Sequence, residues 1–407
     1  MSKKTILTSA LLLTSLNAFT PNISLNTDMS YATKNIANSE FGHLEIPAII
    51  HGLGGHSHGG EEASAMNEDG FNLNYVELGL SADVDQLFSL TSFFHISEES
   101  IAVEEAFFTT NKLGFNTKLK GGKFRSSFGR INEKHHHTYD FAEIPLVYHG
   151  FLGSEGLIEK GLQLQKTFDL PQYLMAGVEV FAGENENSFG TGNIQAVNAE
   201  EDDIAVKGND SPNLIVGYVK TAYDLSEDTT ILGGLSVASG EHRIDHLEDE
   251  HPHALSGDTT IVGIDLSMKK YFDSYSYLSF ESEILYRELD GKKYEYADAA
   301  QDSFASADLN KKQAGFYANL VYAFDKNYKI GARYEGFFKN EVNGIDKEDD
   351  LYKTSLMVEY APSEFSKIRL QYNNNRALYN EDEERQNLHS FILQFNLSIG
   401  AHAAHAY

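Results

Sequence analysis

From Asn22 onward, apolar and polar residues alternate with a period of two, the pattern of strands that present two different faces. The alternation predicts strands at about 22–33, 70–83, 87–95, 100–111, 115–125, 158–168, 173–182, 213–224, 229–239, 258–271, 276–289, 313–324, 328–338, 350–361, 366–376 and 389–399. In the seventh, Leu174, Ala176, Val178 and Val180 alternate with Met175, Gly177, Glu179 and Phe181. In the tenth, Val262, Ile264, Leu266 and Met268 alternate with Ile261, Gly263, Asp265 and Ser267; in the eleventh, Leu278, Phe280 and Ile284 alternate with Ser279, Glu281 and Glu283. One face of these strands carries charge at mid-strand, so it needs water or ionic partners, while the other is apolar.

The connections separate a barrel from a soluble sandwich. Asp169–Gln172, Leu225–Asp228, Asp273–Tyr275, Asp325–Asn327 and Pro362–Phe365 are tight turns, and between them run long acidic segments near 183–212, 240–257, 290–312, 339–349 and 377–388. Short turns on one rim and long loops on the other predict an all-β fold, an antiparallel transmembrane β-barrel of about 16 strands. If the short turns are periplasmic and the last strand descends, parity requires a rising first strand, and 22–33 is the one available; 14 and 18 are the neighbouring counts. In the last strand, Phe391, Leu393, Phe395, Leu397 and Ile399 stay in phase with Ala401, Ala403, His405 and Tyr407. An outward terminal aromatic resembles the signal read by the outer-membrane assembly machinery.

Composition sharpens this reading. The 407 residues include 26 Phe, 22 Tyr and 33 Gly but no Cys, with a formal net charge of −28. A barrel needs only every second residue apolar, which fits; the competing class is a large, acidic, secreted all-β protein. Without Cys there are no disulfides and no zinc-thiolate sites. The acidity repels nucleic acid and anionic lipid and favours cations. Lys3 and Lys4 followed by a short apolar run predict a signal peptide over 1–18, with 19–407 as the barrel.

The stretch from Phe115 to Leu152 concentrates the candidate chemistry. Lys118 and Lys120 share a face, and a bulge at Gly121-Gly122 is expected to bring Lys123 and Arg125 onto it. Beyond Arg130 come His135, His136 and His137, then Asp140, Glu143 and an apolar return. We read a basic strand feeding a long loop that folds into a water-filled barrel and narrows it. The basic residues either neutralise lumen carboxylates such as Glu179, Glu281 and Glu283 or face them across a constriction, setting up a field that sorts solutes by charge. Histidine is clustered elsewhere too: His51, His56 and His58; His242, His246, His251 and His253; His402 and His405. Imidazoles beside carboxylates are ligands for zinc and other divalent transition metals, although exposed polar loops also carry His without fixed geometry.

The stretches Lys123–Gly153, Gly177–Gly190 and the terminal SIGAHAAHAY resemble bacterial outer-membrane porins of the phosphate-selective type. They are also similar to a porin-like family of Gram-negative bacteria sometimes labelled zinc-regulated outer-membrane receptors. The resemblance implies a passive channel for small hydrophilic solutes or ions, in contact with outer-membrane lipid and compatible with a homotrimer. No cofactor is required, and zinc or another divalent cation is a candidate ligand. The alternatives are a metal-uptake receptor with His-rich extracellular loops and a plugged barrel acting as an anchor. No GxSxG elbow, HExxH, phosphate-cradling GxxxxGK[ST] or haem-attachment motif is present, so no enzyme is expected.

Overall fold

The computed structural model describes residues 21–50, 68–97, 100–185, 187–197, 203–209, 212–247, 253–296, 304–348 and 350–400. The expected signal peptide, His51, His56, His58, His251, His402, His405 and Tyr407 lie outside them. Sixteen strands close into an antiparallel barrel. They are β1 (Asn22–Lys34), β2 (Gly70–Asp83), β3 (Phe88–Ile96), β4 (Ile101–Thr110), β5 (Thr117–Arg125), β6 (Ile158–Thr167), β7 (Tyr173–Phe181) and β8 (Leu214–Ser226). There follow β9 (Thr229–His246), β10 (His253–Tyr271), β11 (Tyr277–Tyr296), β12 (Phe304–Ala323), β13 (Tyr328–Val342), β14 (Leu351–Ser363), β15 (Ser366–Tyr379) and β16 (Arg385–Gly400). β1 pairs with β16 from Ser24 opposite Gly400 to Lys34 opposite Ser390, which leaves the sheet without an edge.

The alternation read in the sequence is the alternation of the barrel wall. On β14, Leu356 and Val358 are 58% and 54% exposed on the outside, while Ser355, Met357 and Glu359 between them are buried inside. Tyr271, Tyr275, Phe324, Tyr328, Tyr360 and Phe365 are exposed beside the short turns, an aromatic girdle at one rim. A closed ladder with an apolar outer surface satisfies its backbone in hydrocarbon as few other structures do. The chain has the architecture of a membrane-spanning β-barrel.

Two local expectations are corrected. The segments 240–257 and 290–312 are largely strand, because β9 to β12 run 18, 19, 20 and 20 residues. The alternation persists beneath their acidic residues, and Leu255, Leu289 and Leu309 form a small apolar cluster with Ile244 and Val342. A second such cluster joins Ile194, Leu247 and Ala254, beside a short hairpin that pairs Ile194–Val197 with Asp203–Val206. The bulge expected at Gly121-Gly122 is absent: β5 keeps continuous register with β4 and β6. Gly122 is there for close approach instead, since at φ +134° a Cβ would lie 2.2 Å from the Ala106 carbonyl oxygen.

Three segments turn inward from the long-loop rim. The first follows β1 and carries the short helix α1 (Asn38–Phe41); its Glu45 bridges to Tyr379. The second joins β5 to β6, residues 126–157, and carries α2 (Leu146–Leu152). The third follows β7 and brings Ser188 and Phe189. Leu44, Ile46, Ile50, Phe128, Val147, Tyr148, Phe151, Leu152, Leu157 and Phe189 from these segments pack with wall residues such as Phe337 and Leu351 into one apolar core inside the barrel.

Candidate functional site: the inserted loop and its anchors

The loop 126–157 is held by a series of carboxylates on the inner wall. Glu179 on β7 accepts from the Ser126 hydroxyl, from the Ser127 backbone at 2.9 Å and from Gln163 at 2.6 Å. Glu283 on β11 accepts the backbone N–H groups of Arg130 at 3.0 Å and Ile131 at 2.8 Å, and the hydroxyls of Tyr148 and Tyr317, each at 2.7 Å. Gly129 makes this possible. Its φ is +64°, and a Cβ there would lie 2.1 Å from the Tyr148 hydroxyl and 2.3 Å from Glu283 Oε2. Glu281 receives Lys134 and stands 3.9 Å from Arg130 Nε.

The histidine run meets a second acidic group. His135 Nδ1 is 2.8 Å from Glu77 Oε2 on β2, and its Nε2 is 3.0 Å from Glu105 Oε1 on β4. His137 Nδ1 is 3.7 Å from Glu77 Oε1, and His136 Nε2 is 3.7 Å from Glu155 Oε2. The Arg125 guanidinium closes on Glu104 and lies 3.6 Å from Glu155. Burial alone would favour neutral His135, but hydrogen bonds to Glu105 and Glu77 hold its cation, raising its pKa to about 10.

The return half of the loop meets cations. Lys353 on β14 lies 2.8 Å from Glu143, which also accepts from Asn373 at 3.0 Å. Arg333 donates to the Glu143 carbonyl at 2.7 Å and stacks on the Phe141 ring at 4.4 Å. Arg369 donates to the Tyr139 carbonyl at 2.7 Å, and Lys367 to that of His137. Arg287 lies 4.4 Å over the Phe151 ring and reaches the Gly150 carbonyl at 3.3 Å. The loop thus runs from carboxylates on β2, β4, β7 and β11 to cations on β11 and on β13 to β15.

No family model matches the chain. An uncharacterized protein of Aquifex aeolicus (strain VF5) is 48% identical over 396 residues, which span 96% of this chain and 80% of that protein. The chain belongs to that protein's family. Among solved structures, this family's barrel is similar to the outer membrane channel DcaP of Acinetobacter baumannii, with a TM-score of 0.53, 11% identity, and 93% and 96% of the two chains covered. It is likewise similar to OmpT of Vibrio cholerae, with a TM-score of 0.54, 9% identity, and 94% and 99% covered. The anion-selective porin from Comamonas acidovorans gives 0.52, 10% identity, and 93% and 99% covered. At these identities the likeness is one of fold, the porin fold.

Within this family member the predicted residues fall into distinct places. Lys118 and Lys120 share the inner face with Phe124, and Lys120 lies 4.9 Å over the Phe107 ring. Continuous register puts Lys123 on the other face, where it donates to the Val103 carbonyl at 2.8 Å. Arg125 and Arg130 reach acidic groups at the loop, and Glu179, Glu281 and Glu283 are covered by that loop. His242 is buried, and His246 faces His253 across β9 and β10 with ring centroids 5.2 Å apart. The sequence reading missed Glu77, Glu104, Glu105, Arg287, Arg333, Lys353, Lys367 and Arg369, and Glu335 on β13, which accepts the Leu146 N–H at 2.6 Å. Several of them stand at polar mid-strand positions, and that signal was there to be used.

Proposed function

We propose that the chain is a channel for passive diffusion of small hydrophilic solutes or ions, narrowed by the loop 126–157. The observation that carries this reading is the loop's anchorage inside the barrel between carboxylates and cations of the wall, an arrangement that sets a transverse field where the loop crosses the lumen. Transport follows the solute gradient, and the fixed charges and the width beside the loop set selectivity. The formal charge of −28 favours cations. The test is planar-bilayer conductance of the refolded protein under a KCl gradient. Discrete steps with a cation-selective reversal potential are expected; silent membranes from a correctly folded barrel would remove the channel reading.

A second reading, metal capture at the long-loop rim, is favoured by the facing pair His246 and His253. Zinc retained by the wild type and released after both are replaced by Ala supports it; equal retention excludes that pair.

A further inference from the structure

We propose that Glu77, His135 and His137 form a binding site for a divalent transition metal of the zinc type, which ties the inserted loop to the barrel wall. The site goes beyond the channel reading, and it is separate from the rim pair. One ligand atom from each of the three residues lies within 4.8 Å of the other two. Zinc with nitrogen and oxygen ligands at about 2.0–2.2 Å in tetrahedral array places those ligand atoms roughly 3.4 Å apart. His135 Nδ1 lies 2.8 Å from Glu77 Oε2 and His137 Nδ1 3.7 Å from Glu77 Oε1, so the carboxylate stands near that spacing from both imidazoles.

The arrangement behind the ligands fits a metal as well. Glu105 Oε1 stands 3.0 Å from His135 Nε2, so a hydrogen bond there stays in place when a metal displaces the Nδ1 proton that faces Glu77. A carboxylate behind a ligating imidazole is the usual means of fixing its tautomer and raising its basicity. The Phe93 ring lies 4.5 Å from that of His135, and the Tyr75 ring 5.9 Å from that of His136, so apolar faces limit water. Tyr75 is 6% exposed, and its hydroxyl has no hydrogen-bond partner among the described residues while standing in the field of Glu77, Glu104 and Glu155.

Charge supplies the demand. Glu104, Glu105 and Glu155 gather around the Arg125 guanidinium and Glu77 meets His135, so four carboxylates face two positive charges even with His135 protonated, and a metal at Nδ1 would displace its proton. Buried charge of one sign is costly unless paired, and a dication offsets two of the excess. Two imidazoles in the donor set select a zinc-like ion over magnesium or calcium, which take oxygen ligands. Glu77 is 58 residues from His135, so only the docked loop assembles the set.

The test uses the refolded full chain in detergent, titrated with zinc chloride against a chromophoric chelator at pH 7, with cobalt(II) absorption as the report on ligand geometry. Glu77→Gln and His137→Gln should each weaken one zinc equivalent by about tenfold or more, and Glu105→Gln by roughly 10- to 100-fold. The His246→Ala/His253→Ala double variant should keep that equivalent. Heat-modifiable gel migration verifies that each variant is a folded barrel. Undiminished binding in both Glu77→Gln and His137→Gln, or no zinc bound by the double variant, overturns the site. Bilayer conductance of the same preparations is read separately, so loss of the channel reading and loss of the metal site are distinguishable.

Discussion

The two halves of the inserted loop are held by opposite chemistry. From Ser126 to His137 carboxylates of the wall fix the loop, Glu179 and Glu283 through its backbone and Glu77 and Glu105 through the His135 ring. From Leu146 to Leu157 packing does most of the holding: α2 buries Leu146, Val147, Tyr148, Phe151 and Leu152 against the first inserted segment and against Phe337, with single bonds from the Leu146 N–H to Glu335 and the Tyr148 hydroxyl to Glu283. A carboxylate that accepts several N–H and O–H donors sets position and orientation but depends on every donor staying in place. Apolar packing tolerates small shifts and depends on volume. The first half therefore locates the loop, and the second fills the space beside it.

The largest effect is expected at Glu283. Glu283→Leu leaves the N–H groups of Arg130 and Ile131 and the hydroxyls of Tyr148 and Tyr317 without their acceptor, a cost on the order of 5 kcal/mol in loop docking at about 1–3 kcal/mol per orphaned donor. Unit conductance should rise, and loop-specific proteolysis should appear while the barrel stays folded on gels. In the other half, Phe151→Ala removes a fully buried ring and should cost about 3–5 kcal/mol. If the apolar half only fills space, this variant raises conductance while leaving zinc binding at Glu77 unchanged; loss of that binding would show that the halves dock as one unit.

Acid separates the halves next. His149 on α2 is held neutral by burial, with Lys353 nearby adding to the effect and Glu143 opposing it, and its pKa falls to about 4. An undocked loop returns it to about 6.5. Between those values the undocked state binds the extra proton, so docking weakens as pH falls from about 6.5 and levels off below about 4. Because the ring is partly exposed, the loss is of order 1–3 kcal/mol. Channel recordings from pH 7 to pH 4 should show a growing share of larger substates. His149→Leu should flatten that trend, and an unchanged trend would assign the acid response elsewhere.

How much of this could be read in advance follows the same division. All sixteen strands were legible because a lipid-facing barrel enforces period two on every strand, as in Leu356 and Val358 against Met357 and Glu359. The inserted loop was legible as the long connection after the basic strand, with its histidine run and apolar return. Glu179, Glu281 and Glu283 were named as carboxylates facing the basic residues, not as anchors of the loop backbone: Glu283 meets the Ile131 N–H across 152 residues, and nothing local at either position marks the other. The strand extensions of β9 to β12 were hidden because acidic residues there read as loop, while the apolar residues that hold them pair only with neighbouring strands. At Gly121-Gly122 two readings of a glycine competed, an added residue or a close approach, and only the contact with Ala106 decides.

The smallest effect tests that last correction. Continuous register places Lys118 on the inner face and Lys123 on the outer, although they are five positions apart and were expected together. Lys118 is exposed on the barrel's water-filled side, so Lys118→Gln removes a lumen charge without breaking a buried contact. It should shift the reversal potential toward stronger cation preference and leave stability within about 0.5 kcal/mol. Lys123→Gln has the same formal charge change but no place on the conduction path, so its reversal potential should match the wild type. Equal shifts in the two variants would put both side chains in the lumen, which requires a one-residue slip within β5 that its continuous pairing with β4 and β6 forbids.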